Sequence, residues 1–171
     1  RKQYGKDFVS LMPTNLYGPG DNFNLETSHV VPALLRKAHE AKLAGYDSVE
    51  IWGSGEVRRE FLHVDDMADA CVFIMNLNDD TYKKHTSTFI SHINVGTGED
   101  ISIRELPEKV CTCVGYKGKL VFNTDMPEGT PRKLLDVTRI NRMGWYKNIS
   151  IDSGLTLFYD WFKQNQECIR T

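Results

Sequence analysis

The sequence predicts an α/β or α+β chain on three observations. Apolar runs of strand length recur along it, stretches with a helical apolar stripe lie between them, and Gly, Pro and Asn mark the joins. Phe8 to Met12 is a short apolar run closed by Pro13, the pattern of a buried strand. Thr14 to Ser28, rich in Asn, Gly and Pro, reads as one long loop, and loops of that length are usually functional or disordered. Val30, Val31, Leu34, Leu35, Ala38 and Ala41 make a helical stripe, with Ser28 as the expected N-cap, Pro32 in the first turn and Gly45 as the stop. Val49 to Trp52 and Arg59 to Val64 read as two strands of a hairpin around the turn Gly53–Glu56. Asp65 is the expected cap of a helix reaching about Asn76, and the polar residues 77–90 read as a mobile connection.

His92 to Val95 is a strand ending in Gly96-Thr97-Gly98. Ser102 and Glu105 have capping-box spacing and open a helix that stops at Gly115. Leu120 to Phe122 is a strand, residues 123–133 are a loop, and Leu155, Phe158, Tyr159 and Phe162 form one face of a last helix.

The composition suits an ordinary globular chain: 171 residues, 40% hydrophobic and 26% charged, enough for one domain or a large part of a two-domain protein. A net charge of −2 gives no support to non-specific nucleic-acid binding. No apolar run is long enough to span a bilayer, and no apolar stretch follows the basic residues at the N-terminus as a signal peptide would require. The first residue is Arg, so the chain reads as a piece of something longer. Cys71, Cys111, Cys113 and Cys168 lack zinc-ligand spacing, and no metal site is expected; they read as reduced, mostly buried thiols of a cytoplasmic protein.

Four stretches have chemical potential. Pro13-Thr14-Asn15-Leu16-Tyr17-Gly18-Pro19 follows a strand, where ligands of open α/β sheets bind, although a plain strand-to-loop turn gives the same pattern. In Arg59 to Ala68, alternation sets Arg59, Phe61 and His63 opposite Glu60, Leu62 and Val64, and leaves Arg59 free for a phosphate or for a neighbouring acid. Gly129 to Asp136 carries Arg132 and Lys133, either a diphosphate clamp or a solvated charge pair. His29 sits at a helix start, where the positive dipole end favours the neutral ring and leaves it able to exchange a proton near neutrality; a structural histidine fits as well. His39, His63, His85 and His92 read as structural. No GxGxxG fingerprint occurs.

Together, "PTNLYGPGDNF", "SHVVPALLRK", "IWGSGEVRREFLHVDDMADA", "SHINVGTGEDISIREL" and "GTPRKLLDVTR" resemble, in order and spacing, the GDP-L-fucose synthases, which are extended short-chain dehydrogenase/reductases. The resemblance covers essentially the whole chain. "NLYGP" and "REFLHVDDMA" belong to the superfamily at large, whereas "SHVVPALLRK", the "WGSG" turn and "GTPRKLLDVTR" narrow it. It implies the C-terminal part of a Rossmann-type α/β fold with a mixed α/β substrate-binding subdomain. Residues 1–28 would end the nucleotide-binding domain, and 29–171 would be mainly the substrate-binding domain, with about 65–98 returning to the Rossmann domain.

The implied chemistry is epimerisation of GDP-4-keto-6-deoxy-mannose at C3 and C5, followed by reduction of the C4 ketone with NADPH. Pro13, Thr14, Asn15, Leu16 and His29 would border the cofactor, with His29 also the general acid. Lys37, Trp52, Arg59 and Lys133, and more weakly Lys119, would hold the GDP-sugar. The glycine fingerprint, the Ser/Tyr/Lys reduction residues and the cysteine base of the family lie outside the motifs matched here, so by itself the chain is expected to bind weakly and reduce nothing. The resemblance also implies a homodimeric parent. Two other readings stay open: another nucleotide-sugar epimerase or dehydratase, and a non-catalytic nucleotide-sugar binding module.

Overall fold

A computed structural model describes residues 3–6 and 8–169. Arg1 and Lys2, part of the basic N-terminus, lie outside the described residues. The elements run β1 (Ser10–Pro13), β2 (Asn15–Tyr17), α1 (Val30–Ala44), β3 (Ser48–Trp52), β4 (Arg58–Arg59), β5 (Phe61–His63), α2 (Val64–Asn76) and α3 (Asp79–His85). Then come β6 (His92–Val95), β7 (Ile101–Ser102), α4 (Glu105–Val114), β8 (Lys119–Asn123), β9 (Arg132–Lys133), α5 (Thr138–Met143) and α6 (Ile151–Gln164). Parallel pairs β1–β6, β2–β5 and β3–β8 dominate, each closed by a long crossover, and β4 lies between antiparallel β7 and parallel β9.

Two apolar cores form. The first packs α1 (Val31, Leu34, Leu35, Ala38) against α4 (Leu106, Val110, Val114), α6 (Leu155, Phe158, Phe162) and β3 (Val49, Ile51). The second joins Ala70 and Ile74 of α2, Ile93 and Val95 of β6, Ile140 and Met143 of α5, and Trp145. Strand β5 is the wall between them: Phe61 belongs to the first core and Leu62 to the second. Two acids tie the later chain to α2. Buried Asp66 accepts from the backbone N–H of Asn148 and Ile149, both at 3.0 Å, and Asp69 accepts from Trp145 Nε1 at 2.8 Å.

The structure departs from the sequence expectations in several places. No hairpin forms: after the turn through Gly53 and Gly55 the chain leaves β3, whose partner is β8, and β5 pairs with β2 instead. Alternation over Arg59–Val64 is interrupted at Glu60, which separates β4 from β5, so Phe61, Leu62 and His63 are all buried. The cap of α2 is His63, whose ring accepts from Asp65 N, and Asp65 lies within the first turn. The cap of α1 is His29, one residue beyond Ser28. The expected loop 14–28 contains β2, and the expected connection 77–90 contains α3, capped by Asn78. Helix α5 was not anticipated.

The run Phe8–Met12 is also less buried than its apolarity suggests. Leu11 packs on the second core, but Phe8 and Met12 are exposed because β1 has a single partner strand among the described residues. Nor are the cysteines mostly buried: Cys71, Cys111 and Cys113 are half-buried and Cys168 is exposed. The capping box is present, with Ser102 Oγ accepting from Glu105 N at 3.0 Å and Glu105 Oε2 from Ser102 N at 2.9 Å.

Gly154 sits in the interior of α6, where replacing Gly by Ala ordinarily gains about 1 kcal/mol. Here the new Cβ would run into the Tyr17 hydroxyl and lie 3.2 Å from His63 Cδ2. Overpacking of a filled core costs roughly 1–3 kcal/mol and outweighs the propensity gain. Gly154→Ala in the full-length protein should therefore lower the Tm, and a raised Tm would refute this account of the contact.

Candidate functional site

A cleft of about 720 Å³ opens at the carboxyl ends of β1, β2 and β3, a volume suited to a small-molecule ligand. Residues Thr14 to Asp21 form one side. His29, Val30 and Val31 supply the start of α1, Trp52, Gly55 and Val57 the turn after β3, and Arg59, Phe61 and Ile103 the floor, while Pro127 and Glu128 close the far rim.

The Thr14–Asp21 wall is held from behind. Thr14 Oγ1 and Asn15 Nδ2 both donate to the Glu60 carbonyl, at 3.3 and 2.7 Å, which ties the start of this wall to the residue after β4. Tyr17 is buried and meets His63 edge-on, with ring centroids 5.4 Å apart. Burial, with Asp66 and Asp152 nearby, pushes the Tyr17 phenol far above its ordinary range. Gly18 has φ 146°, and a Cβ there would come within 2.6 Å of Val64 Cγ1, so glycine is the residue that fits.

The rest of the loop is ordered by its own side chains. Asn24 accepts from Glu26 N and Thr27 N, and Phe23 inserts into the first core against Phe158 and Phe162. Asp21, half-buried, has its carboxyl pushed up by burial, an effect partly opposed by Asn22 N–H and by His29. An exposed imidazole at the start of α1 and a carboxylate thus share one end of the cleft.

Opposite, Trp52 is half exposed, and Lys37 Nζ lies 5.6 Å from its ring centroid while donating weakly to the Glu50 carbonyl at 3.4 Å. The cations beyond it are sorted by sheet register. β4 and β9 pair in parallel with Arg58 opposite Arg132 and Arg59 opposite Lys133, so each pair shares a face. Arg58 and Arg132 both bind Asp100, with Arg58 Nε donating at 2.6 Å, and these two guanidiniums hold the Asp100 carboxyl below the usual carboxylate range. Among the described residues Arg59 donates only to main-chain oxygens, of Arg58 at 2.8 Å and Glu128 at 3.4 Å. Neither Arg59 nor Lys133 has a carboxylate partner among the described residues, and Lys133 is exposed. One pair of cations is neutralised within the protein, and the other is available to an anion.

Of the residues singled out from the sequence, the cleft gathers Thr14, Asn15, Leu16, His29, Trp52 and Arg59. Lys37 reaches it over Trp52, and Lys133 stands beside Arg59. Pro13 is exposed on β1 and outside the lining. Lys119 lies outside as well: it begins β8 opposite Ser48, whereas Trp52 pairs with Asn123 at the other end, roughly 13 Å away at strand rise. Tyr17, Asp21, Glu60 and Glu128 were not singled out. Tyr17 and Glu60 stand inside motifs that were read for their neighbours, and Asp21, Glu60 and Glu128 take their bonds from main-chain N–H groups, which residue type does not reveal.

The NAD dependent epimerase/dehydratase family model matches residues 1–96. A GDP-L-fucose synthase of Escherichia coli strain K12 is 54% identical over 169 residues, which are 99% of this chain and 53% of that protein. A GDP-mannoheptose C4 reductase from Campylobacter jejuni, solved with NADP bound, superposes with TM-score 0.81 at 39% identity over 95% of this chain and 55% of that one. A GDP-L-fucose synthetase from Naegleria fowleri, also bound to NADP, gives TM-score 0.84 at 27% identity over 96% and 49%. The chain spans about half the length of the relatives it matches.

Below the cleft, burial holds His63 below its ordinary pKa against the opposing pull of Asp65 and Asp66. A histidine depressed in the folded state costs stability once the unfolded chain begins to bind its proton. Its penalty is therefore absent above about pH 6.5 and grows as pH falls below that value. The Tm of the full-length protein should drop between about pH 7 and 5.5, and His63→Phe, though lower in Tm overall, should drop less. Parallel pH profiles for the two proteins would rule out His63 as a source of the loss.

Proposed function

We propose that this chain, which belongs to the NAD dependent epimerase/dehydratase family, is the nucleotide-sugar-binding half of an NADPH-dependent GDP-4-keto-6-deoxy-mannose 3,5-epimerase/4-reductase that makes GDP-L-fucose. The observation that carries the reading is the register of β4 and β9, which sets Arg59 and Lys133 side by side, without acidic partners among the described residues, next to a cleft bordered by Trp52. A nucleoside diphosphate offers the matching features, two negative phosphates and a flat ring system, and Arg59 can engage phosphate oxygens through its planar fork. The names of the three relatives described above, each of which includes a GDP-linked sugar, support guanine as the base. On this reading the first core is the substrate lobe. The second core, drawn from Leu62–Val95 and Val137–Trp145, is this chain's share of the nucleotide-binding domain.

The main chain of Thr14, Asn15 and Leu16 offers the cofactor one wall, since the side chains of Thr14 and Asn15 on the Glu60 carbonyl hold the turn fixed. NADPH, when bound, supplies the hydride that reduces the C4 ketone. The remaining chemistry rests on that ketone, which acidifies the hydrogens at C3 and C5 on its two sides. Transfer of either proton to a general base, which on this reading lies outside this chain, leaves the electron pair in an enolate, and reprotonation of the carbon from the other face inverts it. His29, exposed at the cleft and beside Asp21, is the group that delivers this proton, and one histidine can serve both carbons as they pass the same position.

In the full-length protein, GDP should displace a bound nucleotide-sugar at concentrations at least about tenfold below UDP or dTDP, the discrimination expected where a base edge is read by hydrogen bonds. Equal competition by all three nucleotides would remove the guanine assignment. His29→Gln should slow uptake of solvent hydrogen at C3 and C5 by roughly 10²–10⁴-fold while GDP affinity stays nearly unchanged. Wild-type exchange in that variant would exclude His29 as the proton donor.

A further inference from the structure

We propose that Glu60 is a positioning residue, whose buried carboxylate and carbonyl together set the distance between the Thr14–Asn15 wall and the Arg59–Lys133 cation pair. The inference rests on the nucleotide-sugar reading above. Glu60 has no exposure to solvent. Its Oε1 accepts from Thr97 N at 2.6 Å, from Gly98 N at 2.7 Å and from Thr97 Oγ1 at 3.3 Å. Its Oε2 accepts from Leu135 N at 2.9 Å, and its main-chain oxygen accepts from Asn15 Nδ2 and Thr14 Oγ1. One residue thus joins the turn after β6, the segment leaving β9 and the wall of the cleft, and it is itself the chain neighbour of Arg59.

Two features distinguish this from ordinary core filling. No Lys, Arg or His pairs with Glu60 among the described residues. Its charge is instead met by backbone N–H donors, an arrangement that needs an acceptor at both oxygens. Gly96 is the second: a Cβ there would collide with Glu60 Oε1, so the turn is built to bring main chain against the carboxylate. Leu135 lies two residues beyond Lys133, and holding its N–H fixes where β9 ends and where Lys133 stands next to Arg59.

The chemistry of Gln makes the test selective. Glu60→Gln keeps one oxygen, which the donors of Thr97 and Gly98 will claim, and turns an NH₂ toward Leu135 N–H. The β9 exit is repelled, whereas Thr14 and Asn15 keep their bonds to the unchanged main-chain oxygen. In the full-length enzyme, E60Q should raise the KM for the nucleotide-sugar by roughly tenfold, the effect of a misplaced charge-assisted contact. The KM for NADPH should stay within about twofold, the sign of a loss confined to the sugar-nucleotide side.

Lys133→Ala should cost affinity in the wild type and add little in the E60Q background, because two changes acting on one contact are not additive. Equal rises in both KM values, or additive losses in the double variant, would overturn the proposal. A measurement on the unmutated protein covers the case in which E60Q does not fold. GDP should slow amide hydrogen exchange at Leu135, Thr97 and Gly98 together, and slowing at Leu135 alone would count against the coupling. Wild-type protein that does not bind GDP removes the functional reading and this inference together. Wild-type protein that binds GDP beside an E60Q of unchanged kinetics removes this inference only.

Discussion

Glu60 carries a charge in a place that water does not reach, surrounded by main-chain N–H groups from two separate loops. A carboxylate taken out of water without such donors would be strongly destabilising, so the loops and the acid depend on one another. The turn after β6 is shaped around the carboxylate, β9 ends where the carboxylate can reach it, and the wall of the cleft leans on the carbonyl of the same residue. Strand β5 begins immediately afterwards and divides the two apolar cores. The acid stands where both cores, the mixed sheet and the cleft meet, and no apolar side chain could satisfy those donors.

The second organising constraint is electrostatic sorting by register. Four cations lie on two adjacent strands of two residues each, and the parallel pairing assigns them to opposite faces. Asp100 takes one pair and Glu105 lies within 3.7 Å of Arg58, so that face is internally balanced. The other face keeps its positive charge at the edge of a cleft with an aromatic rim. A shift of one residue in the pairing would exchange the faces and neutralise the wrong cations. The short strands β4 and β9 therefore have an electrostatic role out of proportion to their length.

The helices were legible wherever periodicity and punctuation agreed. The stripe of α1 ended at Gly45, the capping box opened the turn before α4, and the aromatic face of α6 lay in the first core. The strands were harder to read, because pairing depends on partners far along the chain. Gly53 to Glu56 carries a turn signal that looks the same whether β3 continues to its neighbour or to β8. Alternation over Arg59–Val64 failed at Glu60, where hydrogen bonding to distant main chain overrides the two-residue period.

Part of the candidate site came from motif resemblance rather than residue physics, as with Trp52 and Lys37. Glu60, Asp21 and Glu128 escaped for a common reason. What defines them is contact with main chain, and a backbone N–H donor leaves no trace in residue type. Capping suffered similarly: His63 displaced Asp65 as the cap of α2 because its ring accepts from the Asp65 N–H, a role composition does not assign to histidine.

Strand β1 has one more physical consequence. It pairs with β6 on one edge, and among the described residues its other edge meets no strand, while Phe8, Val9 and Met12 present apolar surface to water. An unprotected edge with such side chains is a template for recruiting another extended segment, and natural proteins usually guard such edges with charge, proline or a covering element. Pro13 is the one guard on β1, at its last position. This chain handled in isolation would thus carry a built-in tendency toward strand-mediated self-association, concentrated at this end of the molecule and separate from the chemistry of the cleft.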